Sequence, residues 1–177
     1  FAVYLRATTA QIGVLAALPP LLASLAQLAS AWLGRRLGKR REIIVFGALL
    51  QAGVLVPLAL LPVAFPDLAV PLLILCAIVY FAGPNLGSPQ WGSLMGDLVP
   101  ETHRGRFFAL RTRLSSLANF SALILAGFLL EGFDTLGFTY WGFVALFLGA
   151  AVLRLASAWH LHQMHDPPGH VGALEMP

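Results

Sequence analysis

Apolar residues fill five long runs along this chain, at 9–33, 43–64, 68–94, 107–130 and 138–159, with short polar or charged breaks between them. The hydrocarbon core of a bilayer is about 30 Å thick, so a helix rising about 1.5 Å per residue crosses it in roughly 20 residues. All five runs reach that length. Residues 72–82 (LLILCAIVYFA) are apolar on every side, whereas a barrel strand alternates in polarity over about 10 residues. The pattern therefore predicts an all-α fold, a polytopic transmembrane helical bundle. Residues 1–8 read as the tail of a preceding helix and an outer loop, and 34–42 as a basic cytoplasmic loop. Residues 65–67 and 131–137 read as outer loops, 95–106 as a second cytoplasmic loop, and 160–177 as a cytoplasmic tail or the start of a central linker.

The cations set that orientation, because Lys and Arg in short loops are retained on the cytoplasmic side. Arg35, Arg36, Lys39, Arg40 and Arg41 crowd the first basic loop; Arg104 and Arg106 lie in the second, with Arg111 and Arg113 just beyond. The alternate loops hold Asp67, Glu131 and Asp134 and neither Lys nor Arg. This reads as a multi-pass protein of the inner, or plasma, membrane, with the lipid bilayer as its first partner. Composition closes alternatives: with 58% hydrophobic and 11% charged residues, the chain lacks the polar surface of a water-soluble domain. Its net charge of +3 belongs to the inner-leaflet loops. No basic stretch outside the spans is interleaved with stacking aromatics, so no nucleic-acid partner is expected. The single Cys76 lies in the third span and makes no disulfide framework.

Polar side chains inside a bilayer are costly and mark either a cavity or a bond between helices. Gln27, Gln51, Asn85, Gln90 and Asn119 are the candidate cavity-lining residues, with Asn119 and Gln90 favoured, and for each an interhelical hydrogen bond is the competing reading. The third span carries Gly83, Gly87, Gly92 and Gly96 with Pro84 and Pro89, so close helix contact and bending are expected there. No Asp, Glu, Lys or Arg is expected at the centre of a span, with Arg154 read as lying near the end of the fifth.

The two basic loops carry the most specific patterns. The first reads AWLGRRLGKRRE, in which Gly38, Lys39, Arg40 and Arg41 follow one another. The second holds Asp97, Glu101, Arg104, Gly105, Arg106 and, a turn later, Arg111, opposite charges at one membrane surface. Gly38 to Arg41 resemble the last part of the loop G-x-x-x-D-R-x-G-R-R found in the major facilitator superfamily, with Ala31 and Arg35 departing from its first part. Pro89 and Trp91, then Asp97, Pro100, Glu101, Arg104, Gly105, Arg106, Phe107 and Phe108, resemble a set of bacterial members. Asp166, Pro167, Pro168 and Gly169 are similar to the stretch that opens the family's central linker.

The resemblance implies the end of helix one through helix six of a twelve-helix carrier, in the N-terminal half, with the last helices of the C-terminal half as the alternative. It implies transport of a small-molecule substrate by alternating access, with the missing second half of the same chain as partner and the basic loops as a cytoplasmic gate. The competing reading is a non-transporting scaffold or receptor on the same fold. The fourth span lacks the G-x-x-x-G-P run of many drug–proton antiporters of the family. A membrane enzyme is not expected: no G-x-S-x-G, no H-E-x-x-H and no phosphate-cradling Gly loop with Lys occurs, and no catalytic residue or cofactor is assigned. His160, His162, His165 and His170 are too loosely spaced to be read as a metal site.

Overall fold

The computed structural model describes residues 1–166. Its helices are α1 (Thr9–Leu37), α2 (Arg40–Ala64), α3 (Ala69–Leu98), α4 (Glu101–Thr135) and α5 (Thr139–His162), with a single 3₁₀ turn, Pro66–Leu68, between α2 and α3. All five helices are long and apolar enough to cross a membrane, and no strand occurs among the described residues.

Each boundary has a local cause. Thr8 starts α1 as a reciprocal capping box with Gln11, which satisfies two otherwise orphaned donors. Gly38 ends α1 in the left-handed region at φ 61°, its N–H bonding the Gly34 carbonyl, a conformation that residues with a Cβ adopt at a cost. Arg35 and Arg36 occupy the last turn of α1, where cations oppose the helix dipole. Gly137, at φ 76°, turns the chain between α4 and α5, and Thr139 Oγ1 donates to Asp134 Oδ1 across that turn at 2.6 Å.

Helix α2 is the hub. It packs along α3 and α5, while α1 lies along α3, and α4 leans mainly on α5. Small residues set the closest approach: Gly47 of α2 and Gly83 of α3 meet backbone to backbone, and Gly87 sits against Ile44. Lipid offers no hydrophobic drive between spans, so such close contact is what holds them. Gly92 and Gly96, expected in the same role, have nothing within 4 Å of where a Cβ would be, although Ser93, Leu94, Met95 and Asp97 beside them still meet α2. Pro84 and Pro89 are carried inside a continuous α3. Tyr140 of α5 donates its hydroxyl to the Ala59 carbonyl of α2 at 2.9 Å, a second tie between hub and neighbour.

Helix α4 differs from the expected span. It starts at Glu101, directly after Pro100, and runs to Thr135, so most of the loop expected at 95–106 is helical. Proline at a helix start loses no hydrogen bond, and Glu101 in the first turn favours the dipole. None of α4's residues is buried, although Leu117, Phe120 and Leu123 are apolar and more than 60% exposed. A soluble protein rarely tolerates such a patch; a bilayer or another membrane segment covers it.

Candidate functional site

Arg40 opens α2 immediately after the Gly38 turn, and its side chain is only 9% exposed. Its guanidinium joins three separate pieces of chain. Nη1 donates to Asp97 Oδ2 at 2.6 Å and to Ser93 Oγ at 3.0 Å, both on the last turns of α3. Nε lies 3.4 Å from Asp166 Oδ1, just beyond α5. The other Asp166 oxygen accepts the backbone N–H of Arg41 at 3.0 Å, and Arg41 Nη1 donates to the Met164 carbonyl at 3.3 Å. Lys39 gives α2 no side-chain cap; Asp166 supplies one from the far end of the described chain. The carboxylate also sits at the positive end of the α2 dipole, which helps one arginine hold two acids.

Asp97 was expected opposite Arg104, Arg106 or Arg111, and each of those is placed elsewhere. Arg104 turns back on the end of α3, where Nε donates to the Val99 carbonyl at 3.1 Å and Nη2 to the Gly96 carbonyl. These are terminal carbonyls without helical partners. Because α4 begins at Glu101, Arg104 falls on its first turn, facing that end. Glu101 is 3.4 Å from Arg104 and 86% exposed, a pair worth little. Arg111 stacks over Trp91 at 4.0 Å, and Phe108 meets the same indole edge-on, so α4 is clasped to α3 by an aromatic–cation sandwich. Arg106 is exposed, and a Cβ on Gly105 would meet nothing. Lys39 pairs with Glu42 at 3.0 Å on an exposed surface.

Of the five polar span residues, Gln90 is the most enclosed. Its Nε2 donates to the Ser30 carbonyl at 2.8 Å and lies 3.2 Å from Ser30 Oγ, and Ser30 is completely buried. Gly34 makes room for that amide. Gln51 is buried on α2 beside Gly83. Asn85 bonds back to the Phe81 carbonyl of its own helix at 2.8 Å. Gln27 and Asn119 are exposed, so the five do not converge on one point.

Between α3, α4 and α5 runs an apolar groove of about 1010 Å³. Tyr80, Ala77, Ala126 and Leu153 are among its walls, and its size suits a small-molecule site.

Two features were missed in the sequence. One is Asp166 as partner of Arg40. The other is how far Arg154 lies from the end of α5, which extends to His162, two turns beyond it, where the span was expected to end at 159. A heptad-like reading of Ala151, Arg154 and Ala158 as one packed face was the available signal, since Ala151 and Ala158 are buried. Pro167, Pro168, Gly169 and His170 lie outside the described residues. Among the described residues no group of three or more His, Cys, Asp or Glu is gathered as metal ligands would be.

The family model described as Major Facilitator Superfamily matches residues 1–175. No curated protein and no solved structure matches the chain.

Proposed function

Because the chain belongs to the Major Facilitator Superfamily, a family of membrane transporters and not of enzymes, we propose that it is most of the N-terminal half of a secondary carrier moving a small solute by alternating access. The Arg40 cluster is its cytoplasmic latch. A second half of the same protein completes the path, and the basic loops face the cytoplasm across an inner or plasma membrane.

The observation that carries this reading is the way Arg40 ties α2, α3 and the segment after α5 through Asp97 and Asp166. A near-buried cation held by two acids from different elements is a bistable element: it is favourable when closed, and opening it exposes charge that water must resolvate. The Arg111–Trp91 stack is a weaker second tie at the same end, between α3 and α4. Rocking of one half against the other would make and break such ties while the helix contacts at Gly47 and Gly83 stay fixed.

The test is solute flux into proteoliposomes holding the full-length protein, compared with Arg40→Ala and Asp97→Asn. Uptake of at least one solute by the wild type, slowed or biased at least fivefold in both variants, supports carrier and latch together. Flux unchanged in both variants removes the latch. No flux of any solute across a broad panel removes the carrier and leaves a scaffold or receptor.

A further inference from the structure

Helix α1 buries Pro19, Ala23 and Ser30, and its opposite side carries a graded face. Leu21, Leu25, Leu28, Trp32 and Arg36 recur there at steps of three and four residues, which sets them in one line along a helix. The three leucines and Trp32 are each at least half exposed. From Leu21 to Trp32 the helix rises about 16 Å, close to one leaflet's share, about 15 Å, of the hydrocarbon core. Trp32 thus stands where aromatic side chains meet the headgroup level. Arg36 is held just beyond it, with Cζ 4.8 Å from the centre of the Trp32 ring, inside the range of a cation–π contact. Its neighbour Arg35 is exposed as well.

The positive charge at this point is unanswered within the bundle. Among the described residues, Glu42 pairs with Lys39, Asp97 and Asp166 with Arg40, and Glu101 with Arg104, while no acid is paired with Arg35 or Arg36. The carbonyl end of α1 supplies about half a unit of negative charge, well short of two guanidinium groups. Apolar length, then an indole, then surplus positive charge complements a phospholipid with a net negative headgroup, taken from acyl chain to phosphate.

We propose that this face of α1 is a binding site for an anionic phospholipid, with its chains along Leu21, Leu25 and Leu28, its glycerol region at Trp32 and its phosphate on Arg35 and Arg36. Guanidinium suits a phosphate because its planar fork donates to two oxygens at once. A zwitterionic lipid presents the same phosphate but brings its own cation, so it gains less from the two arginines. The site requires only that α1 spans a bilayer, and it is independent of any transported solute.

Quenching of Trp32 fluorescence by brominated lipid tests this in the full-length protein, reconstituted into equimolar phosphatidylglycerol and phosphatidylcholine. Bromine is placed on the chains of one lipid or the other, and the Trp32 signal is the difference between the wild type and Trp32→Phe. The expected result is quenching at least twofold stronger from brominated phosphatidylglycerol. Arg35→Gln with Arg36→Gln should even the two lipids. Arg106→Gln with Arg113→Gln, which takes the same charge from exposed positions of α4, should leave the preference in place. Equal quenching in the wild type, or a preference that survives Arg35→Gln with Arg36→Gln, overturns the proposal. So does a preference lost in both double variants, which is a general effect of charge. Little quenching by either lipid also overturns it, the result expected if a second copy or another protein segment covers this face. Excess inorganic phosphate, compared with sodium chloride at equal ionic strength, separates the sources: if phosphate alone abolishes the preference, the arginines hold a free anion and not a lipid. Should the Arg35 and Arg36 changes together prevent folding, the wild-type preference and its survival in the α4 variant decide alone.

Discussion

A Cβ built on Gly83 would stand 2.5 Å from the carbonyl oxygen of Gly47, so α2 and α3 touch with no side chain between them. Gly83→Ala must therefore push the helices apart. Overpacking of this kind costs about 1–3 kcal/mol, and it should appear as a lower melting temperature of the detergent-solubilised protein. Gly92→Ala, on the same helix with nothing within 4 Å, should melt at or slightly above the wild-type temperature.

Gly34, Gln90 and Ser30 form one unit, and their variants should not be additive. A Cβ on Gly34 would lie 2.6 Å from Gln90 Oε1, so Gly34→Ala displaces the amide that satisfies Ser30. Gln90→Ala should itself cost about 1–3 kcal/mol, through a lost buried hydrogen bond and lost packing. In that background the Gly34 methyl meets no amide. The double variant should then be clearly more stable than the sum of the singles predicts, and a thermodynamic cycle of the four proteins measures the difference. Strict additivity would mean that Gly34 serves some purpose other than making room.

Removing Arg40 leaves two carboxylates facing a space without their cation. Arg40→Met should destabilise by about 3–5 kcal/mol, the range for breaking a buried pair from one side. Adding Asp97→Asn and Asp166→Asn should restore much of that loss, since neutral amides need no counter-charge. Chemical or thermal unfolding of the single and triple variants checks both statements. A triple variant no more stable than Arg40→Met would place the cost in lost packing.

Arg104 and Arg106 look equivalent in the sequence and should behave differently. Arg104→Gln uncaps the carbonyls of Gly96 and Val99 and should cost about 1 kcal/mol. Arg106→Gln should be neutral, as its side chain is exposed. Melting temperatures of the two variants, measured side by side, check this.

The five helices were legible because lipid imposes a length and an apolar character that few other environments require. Gly83 and Gly87 could be read as contact points in the third span, but Gly92 and Gly96 carry the same signal and make no such contact. Composition gives the means of approach and not the partner's position. Likewise five cations in one loop announced a membrane surface, yet nothing in GRRLGKRRE tells Arg40 from its neighbours. What distinguishes it is its place at the first turn of α2, facing α3, which depends on Gly38 ending the preceding helix. Helix ends were the least legible feature, and two site assignments turned on them. Starting α4 at Glu101 sends Arg104 to the end of α3, and ending α5 at His162 leaves Arg154 two turns inside the helix.

The cap on α2 also has an order in time. Arg41 and Asp166 are 125 residues apart, and at synthesis rates of about 5–20 residues per second the second follows the first by about 6–25 s. Through that interval α2 can be in the membrane with its first turn open and Arg40 lacking one of its two acids. Asp166 thus closes a turn that was made 125 residues earlier, and a ribosome stalled before it would leave Arg40 held by Asp97 alone of its two acids.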